Sequence, residues 1–443
     1  MSLSPAGATA AGRSRSDFRL SDRAVSALTT ELSRLGGPKT GLVVGVAPES
    51  PVLVAALASL MPNDRLIFVA ADSAAAEVRA IVAGRGAWVA ERVRVVDTLD
   101  EDTLDDAAAT DNAAATDAAV ANDVVKRGAD VAIFAEPLSG TADDARAVIG
   151  RVRAHLADGG VLCVATLAAP RLADGATEEL QRQTSFYGVG TDVVVRNRPP
   201  LRVHRLRFTA APAEIAERLR PAVRPSSIPL TRAMNVDANG VAAAGIALGL
   251  AAAARLAGRR GRWSVVPALA ALPLAAFFRD PERDAPEDPA TVVASADGKV
   301  LSVERVVDKR FADDEMLRVA VFLSVLDVHI NRAPVAGRVA DFFVEDGGFA
   351  AAMSPAAEHN VAAYTVLDTV HGTVVVAQRT GLLARRIVQR APIGAMLAKG
   401  ERFGLIRFGS RTDVYLPAAA AEPMVAPHDK VRGGTTVIAR WHA

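Results

Sequence analysis

Few residues in this chain have chemistry within reach. Ser410 follows Gly409 in RFGSRTDVYLP, and His329 lies in SVLDVHINRAPVAG. A serine hydroxyl is a poor nucleophile at its free pKa and needs a base, for which an imidazole is suited. The imidazole in turn needs a carboxylate to orient it. Taken singly, each residue has an ordinary explanation. A Gly-Ser pair is a turn, a lone histidine on a strand is a satisfied structural residue, and Asp297 before Gly298 is a turn residue. Asp327, two residues before His329, is a competing carboxylate, since both would point to one face of a strand. His371, His428 and His442 have no such company and read as surface or structural residues. The single cysteine, Cys163, excludes a disulfide framework and a Cys-rich zinc site, and no metal site is expected.

These residues need elements to position them. A chain of 443 residues with 50% hydrophobic residues is long and apolar enough for two or three domains. With 51 Lys+Arg against 50 Asp+Glu there is no global field for nucleic acid. Residues 1–17 lack an apolar core and read as a disordered tail rather than a secretory signal. Residues 18–210 alternate strands (41–47, 65–72, 92–98, 130–137, 161–167) with helices (51–61, 144–156). That spacing predicts an α/β doubly wound sheet, closed by an antiparallel pair within 193–209. An Asp-Gly-Gly turn is expected at 158–160. The Ala/Asp-rich stretch 100–122 reads as a surface helix or insertion, and 211–239, punctuated by four prolines, as a linker.

Residues 240–254 and 263–278 carry no charge and flank Arg255, Arg259, Arg260 and Arg262. Each arm is shorter than the roughly 20 residues of a spanning helix, and Pro267 and Pro273 interrupt the second. The pattern predicts a membrane-embedded or re-entrant hairpin over 240–278, with the arginines among headgroups and Trp263 at the interface. From 290 onward, short alternating segments separated by Gly predict a mostly β domain. The expected architecture is therefore a doubly wound α/β domain and a mostly β domain over 279–443, joined by a hydrophobic helical hairpin.

Five stretches in order, FFRDPER (277–283), SADGKV (295–300), DVHINRAP (327–334), GLLARRIV (381–388) and ERFGLIRFGS (401–410), resemble the short prokaryotic class of phosphatidylserine decarboxylases. The resemblance spans about 235–441. It implies a pyruvoyl-dependent carboxy-lyase whose cofactor is made from its own backbone. The Ser410 hydroxyl attacks the Gly409 carbonyl, the amide becomes an ester, and β-elimination cuts the chain into β (1–409) and α (410–443). Ser410 is left as a pyruvoyl group, which forms a Schiff base with phosphatidylserine and releases carbon dioxide to give phosphatidylethanolamine. Asp297 matches the family's ADG aspartate, so the implied constellation is Asp297–His329–Ser410, with His329 also able to protonate the carbanion. Arg332 stands where longer members carry a second histidine. Arg279, Arg332, Glu358 and Asn360 are the substrate-binding candidates the resemblance offers. Arg279 and Asp280 also serve to end the second arm, and His359 replaces an arginine of the usual run. PHDKVRGGTTVIARW resembles the hairpin of biotinyl/lipoyl-like barrels, and is read as packing for the α chain.

The N-terminal strand order, with Asp72 at the end of the second strand and Asp97 at the end of the third, resembles a class I S-adenosylmethionine-dependent methyltransferase. There such acids bind the cofactor's ribose and adenine at the carboxyl edge. Its glycine-rich first loop is reduced here to Gly45 in VVGVAPES. The domain is thus either degenerate and structural or a second activity. Three functions follow: a phosphatidylserine decarboxylase, a bifunctional enzyme that also methylates phosphatidylethanolamine, and a non-maturing membrane scaffold. The expected partners are phosphatidylserine in the membrane, the two chains of one precursor and a second copy in a homodimer. The expected location is the cytoplasmic face of the cell membrane, peripheral or monotopic.

Overall fold

The computed structural model describes residues 19–99, 128–168, 174–222, 227–231, 234–259, 261–382, 386–406 and 410–442. The expected tail, the stretch 100–122 and Gly409 lie outside them. The chain divides into two compact units, Met1–Pro212 and Ala213–Ala443.

The first unit carries β1 (Thr40–Val44), β2 (Arg65–Val69), β3 (Val93–Val96), β4 (Ala129–Phe134), β5 (Leu156–Leu167), β6 (Gly188–Val194) and β7 (Leu201–Leu206) in one sheet ordered β3-β2-β1-β4-β5-β7-β6. The first five are parallel, and β7 runs antiparallel to both β5 and β6. Because helices cover a parallel sheet on both faces, its strands read as continuous apolar runs, and Leu42, Val43, Phe68 and Ile133 are buried. The doubly wound prediction and a closing antiparallel pair hold, with β6 (Gly188–Val194) lying mostly before the expected 193–209. Two local expectations do not. The second strand stops at Val69, and Asp72 opens the helix Asp72–Ala83 instead of ending the strand. Residues 158–160 are no hairpin turn. With Gly159 at φ +74° they form an irregularity inside β5, which begins at Leu156.

In the second unit the stretch expected as linker is partly ordered: a short helix, Glu214–Glu217, then β8 (Ser227–Pro229) and β9 (Met234–Asp237). β9 runs into the first arm, the helix Ala238–Leu256, whose N-terminus is capped by Asp237. The second arm, Arg262–Phe277, stays helical through Pro267 and Pro273. It packs against the first arm, and each proline removes one N–H donor from its ladder. β10 (Arg279–Pro281) then pairs antiparallel with β9, closing the base of the hairpin. Among the described residues only the first arm is long and apolar enough to cross a membrane.

The remaining strands are β11 (Thr291–Val293), β12 (Gly298–Val307), β13 (Glu315–Leu323), β14 (Ile330–Arg332), β15 (Gly337–Glu345), β16 (Ala362–Thr369), β17 (Gly372–Arg379), β18 (Ile387–Gln389), β19 (Met396–Leu397), β20 (Arg402–Ile406), β21 (Ser410–Pro417), β22 (Ala421–Pro423), β23 (Lys430–Val431) and β24 (Val437–Trp441). An eight-stranded antiparallel sheet runs β19-β15-β16-β17-β21-β13-β12-β23, beside two three-stranded sheets, β14-β20-β18 and β11-β24-β22. Alternation along β21 decides what each face holds. Val414 and Leu416 enter the main core with Val319, Val376 and Trp441, while Tyr415 joins Tyr364 and Met316 on the other face.

Candidate active site

Ser410 is the first residue of β21, opposite Leu323 at the end of β13. It is fully buried, and its Oγ has no hydrogen-bond partner among the described residues. A buried hydroxyl without a partner is uncommon and costly. Its side chain shares a face with Thr412. Thr412 lies 3.5 Å from Asn331 Nδ2, and Asn331 Oδ1 accepts from Gln378 Nε2 at 2.7 Å. This buried amide pair ties β14, β17 and β21 together directly beside the serine.

His329 immediately precedes β14 and is 1% exposed. Its Nδ1 lies 2.9 Å from the Asp327 carbonyl oxygen. A carbonyl can only accept, so Nδ1 carries the proton and Nε2 the lone pair. Nε2 has no partner among the described residues. The Asp327 carboxylate faces elsewhere, accepting from Ser324 N at 2.8 Å and Ser324 Oγ at 2.7 Å, so it shapes the turn and leaves the ring to its backbone. The Phe277 ring, the last residue of the second arm, sits 4.2 Å from the imidazole, centroid to centroid. Burial drives the His329 pKa down to about 4. The Asp327 carbonyl and carboxylate and, more weakly, Asp297 oppose the shift, while Arg279 adds to it. The ring is therefore neutral at pH 7.

Asp297 does not hydrogen-bond the imidazole. Its Oδ2 accepts from Arg283 Nη2 at 2.7 Å, its Oδ1 accepts from Arg283 Nη1, and Gly433 N donates to Oδ1 at 2.8 Å. The next residue, Gly298, has φ +151°, and a Cβ there would lie 1.9 Å from the Phe322 carbonyl oxygen, so no other residue fits. The KVRGG turn thus clamps this aspartate.

Arg332 is 2% exposed and committed to the scaffold, donating to Gly400 O at 3.1 Å, Pro281 O at 2.8 Å and Asp280 Oδ1 at 3.3 Å. Burial and the neighbouring Arg402 lower its pKa to about 10 against the pull of Asp280. Asp280, fully buried, also accepts from Arg402 Nε at 2.7 Å and Ser227 Oγ at 2.9 Å. Arg279 is partly exposed and donates from Nη2 to the Leu326 carbonyl and from Nη1 to Ala276 O at 3.3 Å. Glu358 lies on the sheet face away from the Ser410 side chain. It accepts from Arg411 at 2.8 Å and Arg318 at 2.9 Å beside a cavity of about 410 Å³. Burial works against its charge, but Arg411 and Arg318 win and its pKa falls. Asn360 laces a loop to the sheet edge, bonding the Ala350 backbone and Thr380 O. Ser410, His329 and Asp297 all lie in the second unit, and Asp297 acts on the imidazole only through its charge, at longer range. Sequence inspection passed over Phe277 and Arg283, although both lie inside FFRDPER, and over Asn331, Gln378 and Gly433.

In the first unit, Gly45 has φ +78° at the carboxyl end of β1, with its N–H on Val69 O at 2.9 Å. Asp72 and Asp97 follow β2 and β3 on the same edge, both exposed.

Residues 272–439 match the family model for phosphatidylserine decarboxylase. The chain is 49% identical over 182 residues to a phosphatidylserine decarboxylase proenzyme of Symbiobacterium thermophilum, covering 40% of this chain and 84% of that one. A proenzyme of the same description from Desulfotalea psychrophila is 43% identical over 164 residues, covering 37% and 76%. Among solved structures, a precorrin-6y C5,15-methyltransferase from Geobacter metallireducens overlaps 43% of this chain and 94% of its own at 17% identity and a TM-score of 0.29. With relatives up to 49% identical matched over most of their length, the chain belongs to the phosphatidylserine decarboxylase proenzyme family, whose members are pyruvoyl-dependent carboxy-lyases.

Proposed function

We propose that the protein cleaves itself between Gly409 and Ser410 and then converts phosphatidylserine to phosphatidylethanolamine and carbon dioxide at a membrane surface. The observation that carries this reading is the buried, unpartnered Ser410 Oγ at the head of β21.

His329 Nε2, with its lone pair free, takes the serine proton as Oγ attacks the Gly409 carbonyl carbon. The C–N bond breaks to leave an ester. Loss of the Ser410 α-proton then expels Gly409 as a carboxylate, and water releases the former serine nitrogen as ammonia. A buried serine with no competing partner fits a residue that becomes the prosthetic carbonyl, and that carbonyl supplies the electron sink for loss of carbon dioxide. In turnover His329, once protonated at Nε2, is the residue that returns a proton to the substrate carbon. Asp297 favours that protonated state through space while Arg283 and Gly433 hold it. Arg279 and Glu358 are the substrate-binding candidates left partly exposed, Glu358 on the sheet face away from the Ser410 side chain, while Arg332 and Asn360 are buried in the scaffold.

The hydrophobic hairpin supports membrane association, and the resemblance supports a cytoplasmic-face location and a homodimer. S-adenosylmethionine binding at Asp72 and Asp97 rests on strand order alone. We favour a structural role for that unit, because its first loop keeps only Gly45.

Intact-mass spectrometry beside Ser410→Ala tests the central claim. Wild type should give chains of about 409 and 34 residues, the smaller with a pyruvoyl N-terminus, and the variant one uncut chain. A wild-type chain that stays whole in the presence of lipid refutes it.

A further inference from the structure

The turn before His329 has an unusual tip. Turn tips ordinarily carry Gly, Asn, Asp or Ser, whereas here Val325 and Leu326 stand 45% and 83% exposed. The turn itself is tightly made. Asp327 N donates to Ser324 O at 3.0 Å, and the Asp327 carboxylate takes both Ser324 N and Ser324 Oγ. With its polar groups turned inward, the two apolar side chains point out.

The tip adjoins the base of the hydrophobic hairpin. Arg279, two residues beyond the second arm, donates to the Leu326 carbonyl, and Phe277 at the end of that arm lies against His329. Phe277 and Phe278 form one cluster with Val328, Ile330 and Leu405. The apolar surface continues up the arms through Ile246, Leu250, Leu269 and Leu272, all exposed. Neither arm has a polar face between its ends. A helix apolar all round suits immersion in hydrocarbon rather than an interfacial float.

We infer that Val325 and Leu326 form a lip that inserts into a phospholipid bilayer beside the hairpin, so that the serine headgroup is taken from the membrane plane directly at His329. The occupant is the bilayer rather than a protein, because the lip is continuous with the apolar hairpin and carries Arg279 where an anionic headgroup would lie. Arg279 is a positioning residue in this arrangement. It fastens the lip to the hairpin and, through the Asp327 carbonyl next in the chain, fixes the Nδ1 proton of His329. The inference rests on the decarboxylase reading.

The test uses full-length mature protein with two substrates, monomeric dihexanoyl-phosphatidylserine and long-chain phosphatidylserine in vesicles. For Leu326→Asp, the ratio of vesicle to monomer turnover should fall about tenfold or more relative to wild type, since the lost burial is that of a leucine side chain. Val344→Asp, at an exposed apolar site on β15, should leave the ratio unchanged. Independently, an environment-sensitive dye on Leu326→Cys should be quenched by spin-labelled lipids, as should one on Leu269→Cys in the second arm. An unchanged ratio, or a Leu326 dye that stays in water while the Leu269 dye is quenched, overturns the lip. If Leu326→Asp fails to mature, the dye decides. A wild type with no turnover of either substrate sinks the decarboxylase reading instead, which the dye result does not touch.

Discussion

Replacing Phe277 with alanine should make self-cleavage sensitive to mild acid. The folded protein holds His329 at about 4, and burial is the largest cause. An unperturbed histidine titrates near 6.5, so the difference corresponds to about 3 kcal/mol of preference for the neutral ring. The sign follows from the depressed value. An unfolded chain takes this proton as pH falls through about 6.5, while the folded one resists until about 4. The contribution to stability is therefore complete above that window and lost as pH falls across it. Cleavage needs the neutral ring, so the wild-type rate should stay level from pH 8 down to about 5. Phe277 forms one wall of the pocket at 4.2 Å. Alanine admits water there, and a recovery of about three-fifths of the shift would put the pKa near 5.5. At pH 5.5 about half of the variant would be protonated against about 3% of wild type, so its rate should halve between pH 7.5 and 5.5. Phe277→Leu keeps the wall apolar and should keep the level profile. The assay is the appearance of the small chain by quantitative mass spectrometry across pH, with a melt at each pH. Truncating this buried ring also costs about 3–5 kcal/mol, so only pH values where the variant remains folded count. A folded alanine variant with a level profile would refute the claim that burial holds His329 neutral for its work as base.

Three further outcomes are expected. Asp280→Asn leaves the buried Arg332 and Arg402 without their shared carboxylate. It should cost about 3–5 kcal/mol, measured as a lowered urea midpoint in a Ser410→Ala background. Asp297→Asn should slow cleavage about a hundredfold and more than Arg283→Ala does. Equal slowing by the two would show that the pair acts only as a clamp on the KVRGG turn. Titrating S-adenosylmethionine into the full chain should give no saturable heat, and saturable heat that Asp72→Ala abolishes would establish a second active domain.

What could be read from the residues, and what could not, divides along physical lines. Continuous apolar runs marked β1 to β5, because parallel strands are buried on both faces. Two uncharged arms around an arginine cluster marked the hairpin. The second strand was drawn to Asp72 because Ala70 and Ala71 prolong the apolar run; the chain instead turns there into a helix. Ser410 and His329 were legible from their motifs. The partner of His329 Nδ1 was not, because a backbone carbonyl leaves no mark on residue type and depends on a turn closed three residues away, at Ser324. Arg332 looked free to bind substrate, and its burial with Asp280 depends on a pairing across 52 residues of chain. The expected linker conceals β8 and β9 because such short strands gain order only by pairing with β10, beyond the hairpin.

The place proposed for the cut would let the protein break its own backbone and keep its fold. β21 lies between β17 and β13, paired with β13 along its full length from Ser410 opposite Leu323 to Pro417 opposite Met316. The segment after the cut also buries Val414, Leu416, Ile438 and Trp441 in the main core. Releasing the α chain would break two strand ladders and expose those side chains, so severing one bond at the strand's first residue leaves the assembly intact. The same placement sets the order of events. Ser410 loses its water partners only when β21 enters the sheet, and His329 gains its apolar wall only when Phe277 closes over it. Both changes are products of folding, so a chain that has not folded has neither the stripped nucleophile nor the walled-in base. The proposed cleavage would thereby be confined to molecules whose sheet is already able to hold the α chain.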